Sequence, residues 1–153
     1  MPGAPKLPLL TTTRMKQKIY AVIGVPGSGK TWCIDRLGDK FEVVRNDDFI
    51  NRGHMEYPWA IRDAAEATTK PVLIECPFSV SEVVGPLEAI GYEVKQIYIV
   101  PEPEVVAAQY QRREGREIPK GHLTRLETYR QRSSIVGTFA GDSAQVLEYL
   151  KSV

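Results

Sequence analysis

Apolar residues along this chain come in short runs separated by polar stretches of helical spacing. Ile19-Tyr20-Ala21-Val22-Ile23 is a continuous apolar run that ends at Gly24. A run without polar alternation predicts a strand buried on both faces, as in the interior of a parallel sheet. Gly29–Leu37 follows as a predicted helix with Trp32, Cys33 and Leu37 on its inner side, and Phe41–Val44 as a second strand. Pro58–Thr68 is rich in alanine and predicts a helix. Val72-Leu73-Ile74 predicts a third strand, ending at Glu75-Cys76-Pro77; Val80–Ile90 then predicts a helix stopped by Gly91. Val94–Val100 predicts a fourth strand closed by Pro101. Helices are expected over Glu102–Arg113 and Gly121–Arg132, with the polar loop Glu114–Lys120 between them, and a last helix over Gln145–Leu150. Strands alternating with helices at roughly thirty residues per unit predict an α/β fold, with a central parallel sheet of four or so strands flanked by helices. Pro2, Pro5 and Pro8 break any helix at the start, so residues 1–17 are expected to form a flexible arm and residues 18–153 a single domain.

Composition narrows the function classes. With 153 residues, 42% hydrophobic and 25% charged, the chain has ordinary globular make-up. A chain this long buries roughly 68–70% of its unfolded surface and needs no disulfide or metal to fold. The net charge of +1 excludes a uniformly basic surface but leaves room for a local basic patch. Cys33 and Cys76 stand far apart without a CxxC or histidine cluster, which excludes a zinc or disulfide scaffold and suits a reducing, cytoplasmic setting. The apolar runs are too short to span a bilayer, so no membrane partner is expected.

Chemistry enters at Gly24-Val25-Pro26-Gly27-Ser28-Gly29-Lys30-Thr31, which fits G-x-x-x-x-G-K-[ST] in full. Glycines let the backbone curl so that its N–H groups point at phosphate oxygens. The lysine reaches the β- and γ-phosphates, and the threonine hydroxyl takes a place on Mg2+. The motif follows a buried strand and opens a helix, which is the context it requires. It predicts a P-loop NTPase fold using ATP and Mg2+. The guanine-reading N-K-x-D is absent, and Asp35-Arg36-Leu37-Gly38 spells D-x-x-G on a helix rather than after a strand. No strand ends in the paired acids of a motor ATPase; Glu75 alone closes the third. A small phosphotransferase remains, which must place an acceptor hydroxyl, a base, Mg2+ and arginines around the γ-phosphate. A non-catalytic nucleotide-binding module would not need Lys30, Thr31 and Asp47 together.

The phosphate loop, Asn46-Asp47-Asp48-Phe49 after the second strand, and the Arg-rich segment Gln109–Pro119 ending in Ile-Pro together resemble the kinase domain of phage polynucleotide kinases. The wider relatives are the zeta-toxin-like and chloramphenicol-phosphotransferase-like kinases. The resemblance spans Lys18–Arg132 and implies a strand order 2-3-1-4 with an Arg-rich lid. It implies that Asp47 is the base taking the proton of the attacking hydroxyl, with Asp48 as an alternative base or a helix cap. Glu75 stands where the group has an aspartate, and with Thr31 is the expected Mg2+ holder; a capping carboxylate is the other reading. Arg113 and Arg116 fit the lid best, with Arg112 beside them on the nucleotide. Two departures stand out: Ile50 replaces a phosphate-reading arginine, and Gln109 replaces an earlier lid arginine.

The acceptor divides the readings. From Gln109 to Arg132 seven basic residues (Arg112, Arg113, Arg116, Lys120, Arg125, Arg130, Arg132) face three acids (Glu114, Glu117, Glu127), a balance of +4. Between Phe49 and Trp59 lie His54, Met55 and Tyr57; the aromatic side chains here suit stacking on a base in the acceptor pocket, while Trp59 reads equally as core beneath the following helix. These features favour a hydroxyl on nucleic acid, either a DNA 5′ end or a hydroxymethyl group on a modified base such as 5-hydroxymethyluracil. A phage-encoded kinase of that kind would work in the host cytoplasm. The near-neutral charge and short chain suit the alternative, a small-molecule kinase acting on a nucleoside, antibiotic or sugar.

Overall fold

The computed structural model describes residues 17–46, 56–76 and 80–153. Its five strands are β1 (Ile19–Ile23), β2 (Glu42–Val44), β3 (Val72–Glu75), β4 (Val94–Ile99) and β5 (Phe139–Gly141). Its helices are α1 (Lys30–Asp35), α2 (Glu56–Ala67), α3 (Val80–Ala89), α4 (Pro103–Glu114), α5 (Lys120–Val136) and α6 (Ser143–Ser152). The sheet order is β2-β3-β1-β4-β5 and every pairing is parallel. The expected order of the first four strands is therefore observed, and β5 is added at the edge beside β4.

The central strand explains the layering. Ile19, Ala21 and Ile23 face one side, where they pack with Tyr57, Ile61, Val84, Leu87, Tyr110 and Leu126 from α2 to α5. Tyr20 and Val22 face the other side, with Cys33, Ile34, Leu147 and Leu150 from α1 and α6. All five residues of β1 are buried, so the unbroken apolar run reflects two cores rather than one. Each fully buried Ile or Val contributes about 1.5–3 kcal/mol relative to an exposed one. Both thiols are buried and unpaired with each other; burial pushes Cys33 up to about 11, so it stays a protonated packing residue.

Helix ends follow the local sequence. Gly91 stops α3 as expected, with the Gly91 N–H on the Glu88 carbonyl at 3.0 Å and the Tyr92 N–H on the Leu87 carbonyl at 3.1 Å. Asp142 caps α6 by accepting from the Gln145 N–H, while the Gln145 side chain accepts from the Asp142 N–H at 2.9 Å. The buried Ile118 anchors the segment between α4 and α5 in the core.

Two expectations change. Trp32 does not lie on the inner side of α1 but is 39% exposed, because Cys33 and Ile34 take the buried face of this six-residue helix. Tyr57 is no aromatic surface: it is only 1% exposed and belongs to the core. Among the described residues, no helix is long and apolar enough to cross a membrane.

Candidate active site

In a parallel sheet a ligand sits beyond the carboxyl ends of the strands, where the strand order reverses. Here that point is β1, flanked by β3 on one side and β4 on the other. The loop Gly24–Gly29 leaves the end of β1 and runs into α1. Its glycines are required by both backbone and space. Gly27 and Gly29 have φ of 88° and 104°, a region that side chains rarely adopt. A Cβ on Gly27 would meet the Val106 carbonyl oxygen at 3.1 Å, and one on Gly29 would lie 2.7 Å from the Ser143 Cβ. The loop is thus wedged between α4 and the start of α6. A Cβ on Gly24 would lie 2.5 Å from the Ser28 hydroxyl oxygen. That hydroxyl is buried and has no hydrogen-bond partner among the described residues, which suits a cradle for phosphate oxygens. The Lys30 ammonium donates to the Gly24 carbonyl and so stays folded over the loop.

A cavity of about 190 Å³ opens over this loop, lined by Val25, Pro26, Gly27, Gly29, Lys30, Thr31, Trp32, Gln109 and Arg113. Phosphate loop and α4 therefore face each other across one space, and Lys30 and Arg113 bring two positive charges to it. The Arg113 guanidinium also pairs with Glu114 at 2.9 Å. Arg116 stands over the Tyr110 ring at 5.5 Å, and Arg112 is exposed on the last turn of α4; neither lines the cavity. Gln109, one helical turn before Arg113, takes the place the expected arginine would have had. Its place on the cavity wall follows from the i, i+4 spacing to Arg113.

Glu75 ends β3 opposite Val22 of β1 and is 9% exposed. Its backbone is held by Tyr57. The Tyr57 hydroxyl lies 2.7 Å from the Val44 carbonyl and 2.9 Å from the Glu75 carbonyl, and accepts from the Glu75 N–H at 3.3 Å. One phenol thus ties the carboxyl ends of β2 and β3 together. Burial pushes the neighbouring Cys76 thiol up to about 12; Lys30 pulls it down and Glu75 pushes it further up. The ammonium and the carboxylate therefore bear on the same small region. Among the described residues no three His, Cys, Asp or Glu side chains gather as a metal cage. Mg2+ is usually held by one or two protein oxygens together with phosphates and waters, and the oxygens of Thr31 and Glu75 are of that kind.

Asp47 and Asp48, with Phe49, Ile50, Arg52, His54 and Met55, lie outside the described residues. Arg45, just before them, pairs with Asp35 at 2.6 Å, so the D-x-x-G aspartate serves an exposed ion pair on α1. His122 on α5 drew no attention in the sequence, yet it neighbours the loop. Burial, then Arg116, Arg125 and Lys30, hold its imidazole below the ordinary histidine value. It also meets the Tyr110 ring edge-on at 5.5 Å. The rest of the basic segment is partly engaged in structure. Arg130 donates to the Pro101 carbonyl at 2.9 Å, while Arg125 and Arg132 are exposed beside Tyr129 and Tyr98.

The sheet order, the glycine loop after β1 and the flanking helices define a P-loop NTPase fold. Among solved structures, the chain is similar to a gluconokinase from Sinorhizobium meliloti 1021 (TM-score 0.59, 16% identity, 91% of this chain and 92% of that one). It is also similar to a sugar kinase from Janibacter sp. HTCC2649 (TM-score 0.56, 17% identity, 89% and 93%). An uncharacterized protein from Eubacterium ventriosum ATCC 27560 is similar as well (TM-score 0.57, 12% identity, 89% and 97%). At these identities the likeness establishes the shared fold. No protein-family model matches the chain, and no curated protein matches it in sequence.

Proposed function

We propose that the protein is an ATP-dependent phosphotransferase that moves the γ-phosphate to an alcohol on a small polyhydroxylated molecule. The observation that carries this reading is the cavity in which the glycine loop, Lys30 and Arg113 converge. Phosphoryl transfer asks the protein mainly for positioning and for charge aimed at the transferring group. The loop N–H groups and Lys30 grip the phosphates, and Arg113 approaches from α4 with a planar guanidinium suited to phosphate oxygens. Arg116 and Arg112 reinforce that field from the surface. Thr31, and Glu75 through a water, would hold Mg2+, which when bound would supply charge neutralisation to the phosphates. Asp47 takes the acceptor proton, as its match to the N-D-D-F pattern implies.

Three observations favour a small acceptor. The structural relatives that cover nearly all of this chain include a gluconokinase and a sugar kinase. Tyr57 is buried between strand ends and offers no face to a base. Arg130 is held by the Pro101 carbonyl, which takes one guanidinium of the basic segment away from a phosphate backbone. A hydroxyl on nucleic acid is the second reading, supported by the +4 balance of Gln109–Arg132.

One assay separates them. The protein is incubated with γ-labelled ATP and, in parallel, gluconate, a panel of sugars and nucleosides, 5′-hydroxyl DNA and DNA carrying 5-hydroxymethyluracil. Label in a small acceptor, with a KM insensitive to salt, is the expected result. Transfer to DNA alone, with a KM rising steeply with salt, would replace the first reading by the second. Label in none of them, with ATP still bound, would leave a nucleotide-binding module.

A further inference from the structure

Trp32 is the residue after the last position of the phosphate loop, and nothing in the transfer chemistry requires an aromatic ring there. An indole is a large apolar surface to leave in water on a short helix whose buried face is already filled by Cys33 and Ile34. It is nonetheless 39% exposed, and it lines the same cavity as Gly29, Lys30, Gln109 and Arg113. Its position is also held. The Arg36 guanidinium carbon lies 4.3 Å from the ring centroid, and the same guanidinium donates to the Trp32 carbonyl at 2.9 Å. The cation lies over one face of the indole, and the ring borders the cavity with over a third of the residue exposed.

We infer that Trp32 is the platform on which the base of the bound nucleotide stacks, with Arg36 bracing the ring from behind. The inference deepens the proposed function, since it rests on a nucleotide whose phosphates fill the loop. With the phosphates at Gly27–Thr31, the nucleoside end must leave the cavity along its remaining walls, and Trp32 is the aromatic one among them. Stacking accepts any base, because every base has a π-face. The platform therefore supports affinity for purine nucleotides in general, and discrimination between ATP and GTP must come from elsewhere.

The sequence has two tryptophans, which makes the test direct. In the full chain carrying Trp59→Phe, Trp32 is the remaining indole fluorophore. ADP, GDP and inorganic tripolyphosphate are titrated by fluorescence and by calorimetry. The expected result is that both nucleotides change Trp32 emission far more than tripolyphosphate does. Trp32→Ala should then weaken ADP and GDP on the order of ten-fold while leaving tripolyphosphate affinity unchanged, and Trp32→Phe should restore most of the loss. Unchanged ADP affinity in Trp32→Ala, or ADP binding without an emission change, overturns the inference and leaves the phosphate-site reading standing. Loss of tripolyphosphate binding together with ADP in Trp32→Ala overturns it too, because the ring would then be structural. If the parent chain binds neither ADP nor tripolyphosphate, the proposed function falls and the inference falls with it.

Discussion

At the residue scale the site is a division of labour between groups that grip and groups that hold others in place. Lys30→Ala removes the charge over the loop and should lower kcat by at least about 10²-fold. Asp47→Asn should keep ATP affinity while kcat falls by on the order of 10²–10⁴; calorimetry and single-turnover rates on the two variants check both. Near-normal turnover in Asp47→Asn would transfer the proton-accepting role to Asp48 or Glu75. Tyr57 belongs to the holding group. Tyr57→Phe strips the hydroxyl from the Val44 and Glu75 backbones and should cost about 1–3 kcal/mol, read as a lower urea midpoint at unchanged m-value. The gripping residues were legible because their spacing is the chemistry: Gly24 to Thr31 has few other uses. Tyr57 was not, because a phenol near an expected pocket reads the same whether it faces a ligand or a carbonyl. Trp32 misled for a similar reason. On a helix of under two turns, neighbouring positions compete for one buried face, and composition does not say which wins.

At the element scale, most strands and helices were readable within a residue or two, since two cores flank the sheet and punish any slip; the helix expected to stop at Arg132 runs on to Val136, because its exposed last turn carries no core pattern. Strand β5 escaped notice because Phe139-Ala140-Gly141 is three residues long and, among the described residues, sits at the sheet edge beside β4. Its ladder, not its sequence, makes it a strand. The contact of α6 with the phosphate loop is likewise a product of packing, invisible until β5 has carried the chain across. Gly29→Ala tests that contact. The substitution demands φ of 104° from alanine and drives its Cβ into Ser143. Both stability and nucleotide affinity should fall, and Ser143→Gly should recover part of the stability, measured as thermal midpoints of the single and double variants. No recovery would mean that the backbone conformation alone accounts for the loss.

At the scale of the whole molecule, burial and charge together set one response to conditions. Burial, and then the charges of Arg116, Arg125 and Lys30, make the folded His122 resist protonation more than the unfolded one does. The unfolded chain therefore binds a proton first as pH falls through about 6.5, and stability should decline from there toward lower pH. The thermal midpoint of the parent chain should drop more between pH 7.5 and 5.5 than that of His122→Gln; parallel curves would remove His122 from the account. The exposed surroundings keep the difference small. The fit of Gly27 against α4 and of Gly29 against α6 has one more outcome. Two segments far apart along the chain, around Val106–Tyr110 and around Ser143, form the walls of one clamp. Loading the clamp with triphosphate should slow amide hydrogen exchange at both walls together, so that a ligand seized near one end of the chain is felt by the helix at the other.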